Sequence, residues 1–151
     1  MLAPVKRFLG TAFGLGLLPV APGTWGTLLG VALAWGASRV PGTPFVLVGL
    51  AFAITVLGVP LARAAEKEAG RKDPGWFVLD EVAGYLVAVL GHPLTWPYLL
   101  GAFVAFRVFD IWKPPPIRRL EKEGGGIGVM ADDLMAGIYA NVAVWVVSWF
   151  L

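Results

Sequence analysis

Residues 44–62 have the sequence PFVLVGLAFAITVLGVPLA, nineteen residues without a charge. A helix needs about 20 apolar residues to cross the hydrocarbon core of a bilayer, so this run predicts a transmembrane helix. Further apolar runs occur at residues 24–38, 82–90, 94–109 and 134–151. Gly91, His92 and Pro93 separate the two central runs and predict a tight turn. The sequence therefore predicts an all-α, membrane-embedded bundle of four to six helices, formed by a single domain of residues 1–151.

The composition supports a membrane protein. The mean hydropathy is +0.75, and only 15% of the residues are charged, against about a quarter in soluble domains. The surplus of 12 Lys and Arg over 10 Asp and Glu is too small to indicate a nucleic-acid partner. The absence of cysteine excludes disulfides, thiolate catalysis and cysteine-bound metals. The single histidine, His92, excludes a histidine-rich zinc site or a two-histidine phosphatase within one chain.

The distribution of basic residues predicts the topology. With the N-terminus inside, eleven of the twelve Lys and Arg residues fall on the inner face, and only Arg39 falls outside. This satisfies the positive-inside rule. All ten carboxylates fall on the same inner face, so we expect the catalytic loops there. A compact soluble bundle with a very apolar core is the alternative, and the short runs at residues 24–38 and 82–90 are its best support.

The acidic residues are confined to two short polar islands between the apolar runs. They are Glu66, Glu68, Asp73, Asp80 and Glu81 in the first island, and Asp110, Glu121, Glu123, Asp132 and Asp133 in or beside the second. Ionisable groups are costly near hydrocarbon and are usually functional when they are kept there. Together with the uncharged Gly/Pro/Thr segment at residues 19–27, the islands predict a carboxylate cluster at one membrane face.

The segment at residues 19–27 is a candidate phosphate site. Its prolines and small residues predict a rigid turn, after which Thr24 or Thr27 can cap a helix. The N-terminus of a helix offers free N–H donors and a partial positive charge, which suit a phosphate group. An ordinary capped helix start explains the same residues equally well.

Two acidic pairs, Asp80 with Glu81 and Asp132 with Asp133, each precede an apolar run. One carboxylate at a helix start is explained by the helix dipole, but two adjacent ones are explained less well. Hard oxygen ligands select Mg²⁺ or Mn²⁺ over zinc or copper. The glycine-rich residues 124–128 precede the second pair, and we expect them to let the backbone approach a ligand closely.

Arg107, Asp110 and Lys113 form a third candidate group. Arg107 and Asp110 are three residues apart and share a helix face, and three prolines after Lys113 end that helix. A carboxylate between two cations can bind a metal while the cations meet phosphate oxygens. An intrahelical ion pair with a snorkelling lysine is the structural alternative.

Four blocks of sequence resemble the bacterial phosphatidylglycerophosphatase A family. They are PVAPGTWGT (19–27), DPGWFVLDEVAG (73–84), FRVFDIWKPPPI (106–117) and GGGIGVMADDLMAG (124–137), in the family's order, and the resemblance covers about residues 14 to 137. It implies a Mg²⁺-dependent membrane phosphatase that converts phosphatidylglycerophosphate to phosphatidylglycerol and phosphate in phospholipid biosynthesis. The positions that it marks are Thr24, Asp80, Glu81, Arg107, Asp110, Lys113, Asp132 and Asp133.

We therefore expect Mg²⁺ to be bound by Asp80, Glu81, Asp110, Asp132 and Asp133. Catalytic roles fall to Asp80, Asp110 and Asp133, and phosphate binding falls to Thr24, Thr27, Arg107 and Lys113. Attack by water activated at the metal is preferred over a phospho-aspartate intermediate, because no DxDxT-like motif is present.

The expected partners are an anionic phospholipid substrate and the membrane, with no nucleic acid. The expected location is the bacterial inner (cytoplasmic) membrane, which the chain crosses several times with its active site facing the cytoplasm. A small cation transporter or channel is the alternative function, although it would place its carboxylates near the middle of the membrane. A lipid alcohol phosphotransferase lacks support because no DGxxAR-like block occurs. The oligomeric state stays open.

Overall fold

The computed structural model describes residues 3–151, and all regular secondary structure among them is helical. The seven α-helices are α1 Pro4–Gly10, α2 Pro22–Ala37, α3 Thr43–Ala69, α4 Leu79–Ala88, α5 Trp96–Trp112, α6 Ile117–Glu123 and α7 Ile127–Ser148, and a 3-10 helix spans Leu15–Leu17. The predicted all-α class is confirmed, and the five longest helices correspond to the five apolar runs. The count exceeds the expected four to six because α1 and α6 form from short charged segments, which a search for apolar runs does not detect.

Two helices among residues 3–151, α3 and α7, are long and apolar enough to cross a membrane. On α3, Phe45 is 84% exposed and Phe52 is 70% exposed. A soluble bundle seldom exposes apolar side chains on this scale, so the surface favours a membrane-embedded chain. The other three long helices are shorter, with 16 residues in α2, 17 in α5 and ten in α4. Of the four or five predicted spans, two therefore have the length and composition to cross.

The short helix α4 lies at the centre of the bundle, packed against α2, α3 and α7. Its contact with α7 is closest at two glycines: a Cβ atom on Gly137 would lie 2.2 Å from the carbonyl oxygen of Gly84. No larger residue fits at this crossing without separating the helices. Asp80 and Asp133 lie one turn before these glycines on the same helix faces, so the crossing brings their carboxylates together.

The C-terminus of α4 ends inside the bundle, where its free carbonyl groups need hydrogen-bond donors. Asn141 on α7 supplies them, since its Nδ2 donates to the carbonyl oxygens of Val87, Ala88 and Leu90 at 3.1, 3.1 and 2.7 Å. The chain then turns through Gly91, which has a φ of +78°. The predicted turn between the two central runs is therefore present, as the loop that joins α4 to α5.

The N-termini of α2, α4 and α7 meet the C-termini of α3 and α5 at one end of the bundle, which we call the acidic end. A Cβ atom on Gly23 in α2 would lie 2.7 Å from Oε1 of Glu81 in α4. A Cβ atom on Gly126, just before α7, would lie 2.2 Å from the carbonyl oxygen of Val59 in α3. The alternating direction of the long helices thus gathers the separate polar segments at a single place.

Candidate active site

Five predicted carboxylates meet at the acidic end, together with two that the prediction did not select. They form three groups, in each of which one oxygen of every residue lies within 4.8 Å of the others. We call Asp80/Asp132/Asp133 and Glu81/Asp110/Asp133 the inner triads, and Asp73/Glu121/Asp132 the outer triad. The inner triads share Asp133, and Asp132 belongs to one inner triad and to the outer triad.

The inner triads contain carboxylate oxygens that lack a partner. Asp80 Oδ1, Glu81 Oε2 and Asp133 Oδ2 are buried and accept no hydrogen bond from any residue in the described range 3–151. Asp80 and Asp133 are each only 2% exposed. Burying a carboxylate oxygen without a donor or a cation is costly. The arrangement fits a divalent cation, and an all-oxygen set of ligands suits Mg²⁺ or Mn²⁺.

The outer triad differs because the ammonium group of Lys113 lies among its carboxylates. Lys113 Nζ is 2.8 Å from Asp132 Oδ2, 3.4 Å from Glu121 Oε1 and 4.0 Å from Asp110 Oδ1. Burial alone would lower the pKa of Lys113, but the neighbouring carboxylates outweigh burial and hold that pKa above its ordinary value. Burial raises the pKa of Asp73, and Lys113 partly offsets that rise.

Arg107 and the first turn of α2 form the opposite wall of the inner triads. Arg107 Nη1 donates to Asp110 Oδ2, one turn along α5. A Cβ atom on Gly23 would lie 3.2 Å from Arg107 Nη1, so the first turn of α2 approaches this guanidinium closely. Arg107 thus lies between a carboxylate of the inner triads and a helix N-terminus, where both its charge and its N–H groups can meet an anion.

Neither candidate threonine caps α2. The helix begins at Pro22, and the N-cap is Ala21 in the left-handed region with a φ of +47°. A proline at the first helical position fixes φ in advance and has no N–H to satisfy, which explains the earlier start. Thr24 lies half-buried in the first turn beside Gly23. The hydroxyl of Thr27 is fully buried and donates to the carbonyl oxygen of Gly23 at 2.9 Å.

The glycine-rich segment before α7 packs against α3, whereas the sequence led us to expect that it approaches a ligand. Gly124, Gly125 and Gly126 all have φ between +64° and +83°. Arg63 Nε donates to the carbonyl oxygen of Gly125 at 3.0 Å, and the N–H of Gly125 donates to Glu66 Oε2 at 2.9 Å. The glycines thus allow the loop to lie against the α3 backbone, which fixes the start of α7 and hence Asp132 and Asp133.

Sequence reasoning missed Asp73, Glu121 and Gly23 as residues of the site. Asp73 and Gly23 lie within two of the four family-like blocks, so their presence in those blocks was an available signal. Glu121 gave no such signal, because its place depends on how the chain turns through Pro114–Pro116 into α6. Such a turn cannot be worked out from apolar runs.

Comparison with known proteins gives a consistent result. The family model described as phosphatidylglycerophosphatase A matches residues 8–148. A Haemophilus influenzae protein named phosphatidylglycerophosphatase A is 37% identical over 100% of this chain and 93% of its own length. The Escherichia coli protein of the same name is 36% identical over 87% of this chain and 77% of its own. A Bacteroides thetaiotaomicron protein named a putative phosphatidylinositol-3-phosphatase is 37% identical over 95% of this chain and 93% of its own length. No solved structure matches significantly.

Proposed function

The chain belongs to the phosphatidylglycerophosphatase A family, whose members are phosphatases acting on a phosphate monoester, and from this premise we propose its reaction in detail. The protein hydrolyses phosphatidylglycerophosphate to phosphatidylglycerol and inorganic phosphate, with Mg²⁺ bound at the inner triads. It does so at the cytoplasmic face of a bacterial inner membrane, as a step of phospholipid biosynthesis.

The observation that carries the proposal is the set of unpartnered, buried oxygens on Asp80, Glu81 and Asp133. With Asp110 and Asp132, these residues would hold Mg²⁺, which supplies charge neutralisation at the phosphate and lowers the pKa of a water molecule. A carboxylate oxygen that is not used in binding accepts the proton of the attacking water. The Bacteroides thetaiotaomicron relative is named for a different lipid, a phosphatidylinositol 3-phosphate. The chemistry that the names of the relatives share is hydrolysis of a phosphate monoester on a phospholipid.

Arg107 and the N-terminus of α2 orient the substrate phosphate in this proposal. A phosphate monoester carries nearly two negative charges, and a guanidinium can bind two of its oxygens in one plane. The helix N-terminus at Gly23 lies beside that guanidinium and adds the N–H of Gly23 and a partial positive charge, whereas the N–H of Thr24 already donates to the carbonyl oxygen of Ala21. Thr27 contributes indirectly, because its hydroxyl stabilises the first turn of α2.

The position of the acidic end suits a lipid substrate. The acyl chains remain in the leaflet beside the apolar helices, while the headgroup reaches the carboxylates at the end of the bundle. Trp25 and Trp112 are 42% and 62% exposed near this end, and indole side chains are favoured at the membrane interface. A transporter would need its charges along a path through the membrane, whereas these carboxylates cluster at one end of the helices.

Phosphate release from a defined lipid tests the proposal. The purified protein is incubated with vesicles that contain phosphatidylglycerophosphate, or phosphatidylinositol 3-phosphate for comparison, and released phosphate is measured. We expect turnover of phosphatidylglycerophosphate that EDTA abolishes and Mg²⁺ restores. Asp133→Asn should remove the activity, and Glu123→Gln, at an exposed carboxylate of α6, should not. Turnover that survives both EDTA and Asp133→Asn would refute the metal-dependent mechanism.

The same preparation separates water attack from covalent catalysis. We expect no acyl-phosphate on Asp80 or Asp110 when the reaction is quenched with acid during turnover. A trapped phosphoryl group on either residue would replace direct hydrolysis with a two-step mechanism.

A further inference from the structure

The three carboxylate triads are alike in spacing but differ in what lies inside them. All three have oxygens within 4.8 Å of one another, a spacing that can hold a metal ion. In the outer triad, however, Lys113 Nζ lies 2.8 Å from Asp132 and 3.4 Å from Glu121. These are contact distances between opposite charges, so a protein cation already lies at the outer triad.

The pattern of unpartnered oxygens follows the same division. Each inner triad includes buried oxygens without a partner, on Asp80, Glu81 and Asp133. The three residues of the outer triad contribute none to that set within the described range 3–151. Lys113 therefore pairs with the outer triad. The inner triads, although Arg107 contacts Asp110, keep buried oxygens to which no residue in the range 3–151 donates.

The backbone at Lys113 indicates that the contact is maintained against a local cost. Lys113 is the C-cap of α5 and has a φ of +52°, in the left-handed region where glycine or asparagine is usual. A non-glycine residue in that region is strained and persists only where surrounding contacts hold it. The side chain is only 17% exposed and points to the carboxylates.

We infer that Lys113 is the resident cation of the outer triad, and that it excludes a divalent ion there while it holds Asp132 in place for the inner triads. This inference rests on the proposed metal site, and it gives Lys113 a positioning role in place of the phosphate contact that the sequence suggested. It also explains how α6 is fixed to the site, since Glu121 is the residue of α6 that Lys113 reaches.

Counting bound ions tests the inference without any substrate. Mn²⁺ replaces Mg²⁺ as the probe, and the loss of the free Mn²⁺ signal in electron paramagnetic resonance gives the number of ions bound per chain. The titration extends to about 10 mM, because the weakest all-oxygen Ca²⁺ sites have dissociation constants of about 10⁻⁴ to 10⁻³ M and must be filled before ions are counted. Lys113→Met should bind one more Mn²⁺ than the wild type, and Lys113→Arg should bind the wild-type number. Lys122→Met, at an exposed lysine of α6, serves as the matched control.

The inference is overturned if Lys113→Met binds the same number of ions as the wild type, or if Lys113→Arg gains an ion. A wild-type protein that binds no Mn²⁺ would instead remove the proposed metal site itself, so the two failures are distinguishable.

A second measurement decides the question even if Lys113→Met does not fold. Glu121→Gln in the otherwise unchanged chain should leave the number of bound Mn²⁺ ions as in the wild type, because Lys113 already fills the outer triad. Asp80→Asn, in an inner triad, should lower either that number or the affinity at least tenfold. Loss of an ion in Glu121→Gln would show that the outer triad binds metal in the native protein and would end the inference.

Discussion

Replacing Gly137 with alanine should weaken the proposed metal site and lower the free energy of unfolding by at most about 2 kcal/mol. The new Cβ atom would lie 2.2 Å from the carbonyl oxygen of Gly84, and ordinary contacts begin near 3.4 Å. Helices α4 and α7 must therefore separate by about 1.2 Å, which moves Asp80 away from Asp133. Metal–ligand distances tolerate changes of only about 0.2 Å.

The expected magnitudes follow from two opposing effects on stability and one effect on binding. Overpacking costs about 1–3 kcal/mol, and alanine in place of glycine within a helix returns about 1 kcal/mol. The net loss of stability is therefore about 0–2 kcal/mol. Displaced ligands should weaken Mn²⁺ binding about 10- to 100-fold, as is found when groups that orient metal ligands are removed.

The assay compares Mn²⁺ affinity, phosphate release and thermal unfolding for Gly137→Ala and Gly101→Ala. Gly101 lies on α5, the helix that carries Asp110, and a Cβ atom there meets nothing within 4 Å. It should therefore retain wild-type affinity and turnover. Wild-type Mn²⁺ affinity in Gly137→Ala, or an equal loss in Gly101→Ala, would refute the argument that the glycine crossing sets the carboxylate spacing.

Three further changes probe other contacts. Asn141→Leu removes the donor to three carbonyl groups at the end of α4 and should lower the free energy of unfolding by about 1–3 kcal/mol. Unchanged stability in a denaturant titration would contradict the role of Asn141 as a cap of α4. Arg107→Lys keeps the charge but cannot bind two phosphate oxygens in one plane, so kcat/KM should fall about 10- to 100-fold while Mn²⁺ binding is retained. Unaltered kinetics would exclude Arg107 from phosphate binding. Gly126→Ala places a Cβ atom 2.2 Å from the carbonyl oxygen of Val59 at a φ of +83°, so it should lower the midpoint of thermal unfolding. The control is Gly49→Ala, whose Cβ atom meets nothing within 4 Å, and equal midpoints for the two variants would contradict the expected clash.

The helices were predictable from the sequence because apolar runs of sufficient length form helices wherever they are shielded from water. The gathering of acidic residues at one end was predictable as well, since helices that alternate in direction return their polar connections to the same place. Asp80, Glu81, Asp110, Asp132 and Asp133 therefore meet as expected. These predictions needed only the order of apolar and polar segments.

The finer arrangement depends on contacts that no single segment encodes. The direction of the Lys113 side chain follows from a left-handed backbone at the end of α5, which its sequence neighbours do not demand. The crossing of α4 and α7 depends on Gly84 and Gly137, which are 53 positions apart and are ordinary helix residues until the two helices meet. The sequence favours a ligand contact for the glycine-rich loop, because the backbone that the loop contacts, at Val59 in α3, is distant in the chain.

The length of α3 links the site to the thickness of the surrounding bilayer. Its 27 residues extend about 40 Å, and the hydrocarbon core is about 30 Å thick. The last turns of α3 therefore project beyond the lipid tails. There Arg63 and Glu66 form hydrogen bonds with the loop that leads into α7. The apolar stretch of α3, residues 44–62, is about 28 Å long and close to the thickness of that core, and an apolar stretch tilts when the hydrocarbon layer becomes thinner than its own length. Lipids with shorter acyl chains would thus tilt α3 and shift its contacts with the loop, so that the geometry at Asp132 and Asp133 depends on the thickness of the layer around the bundle.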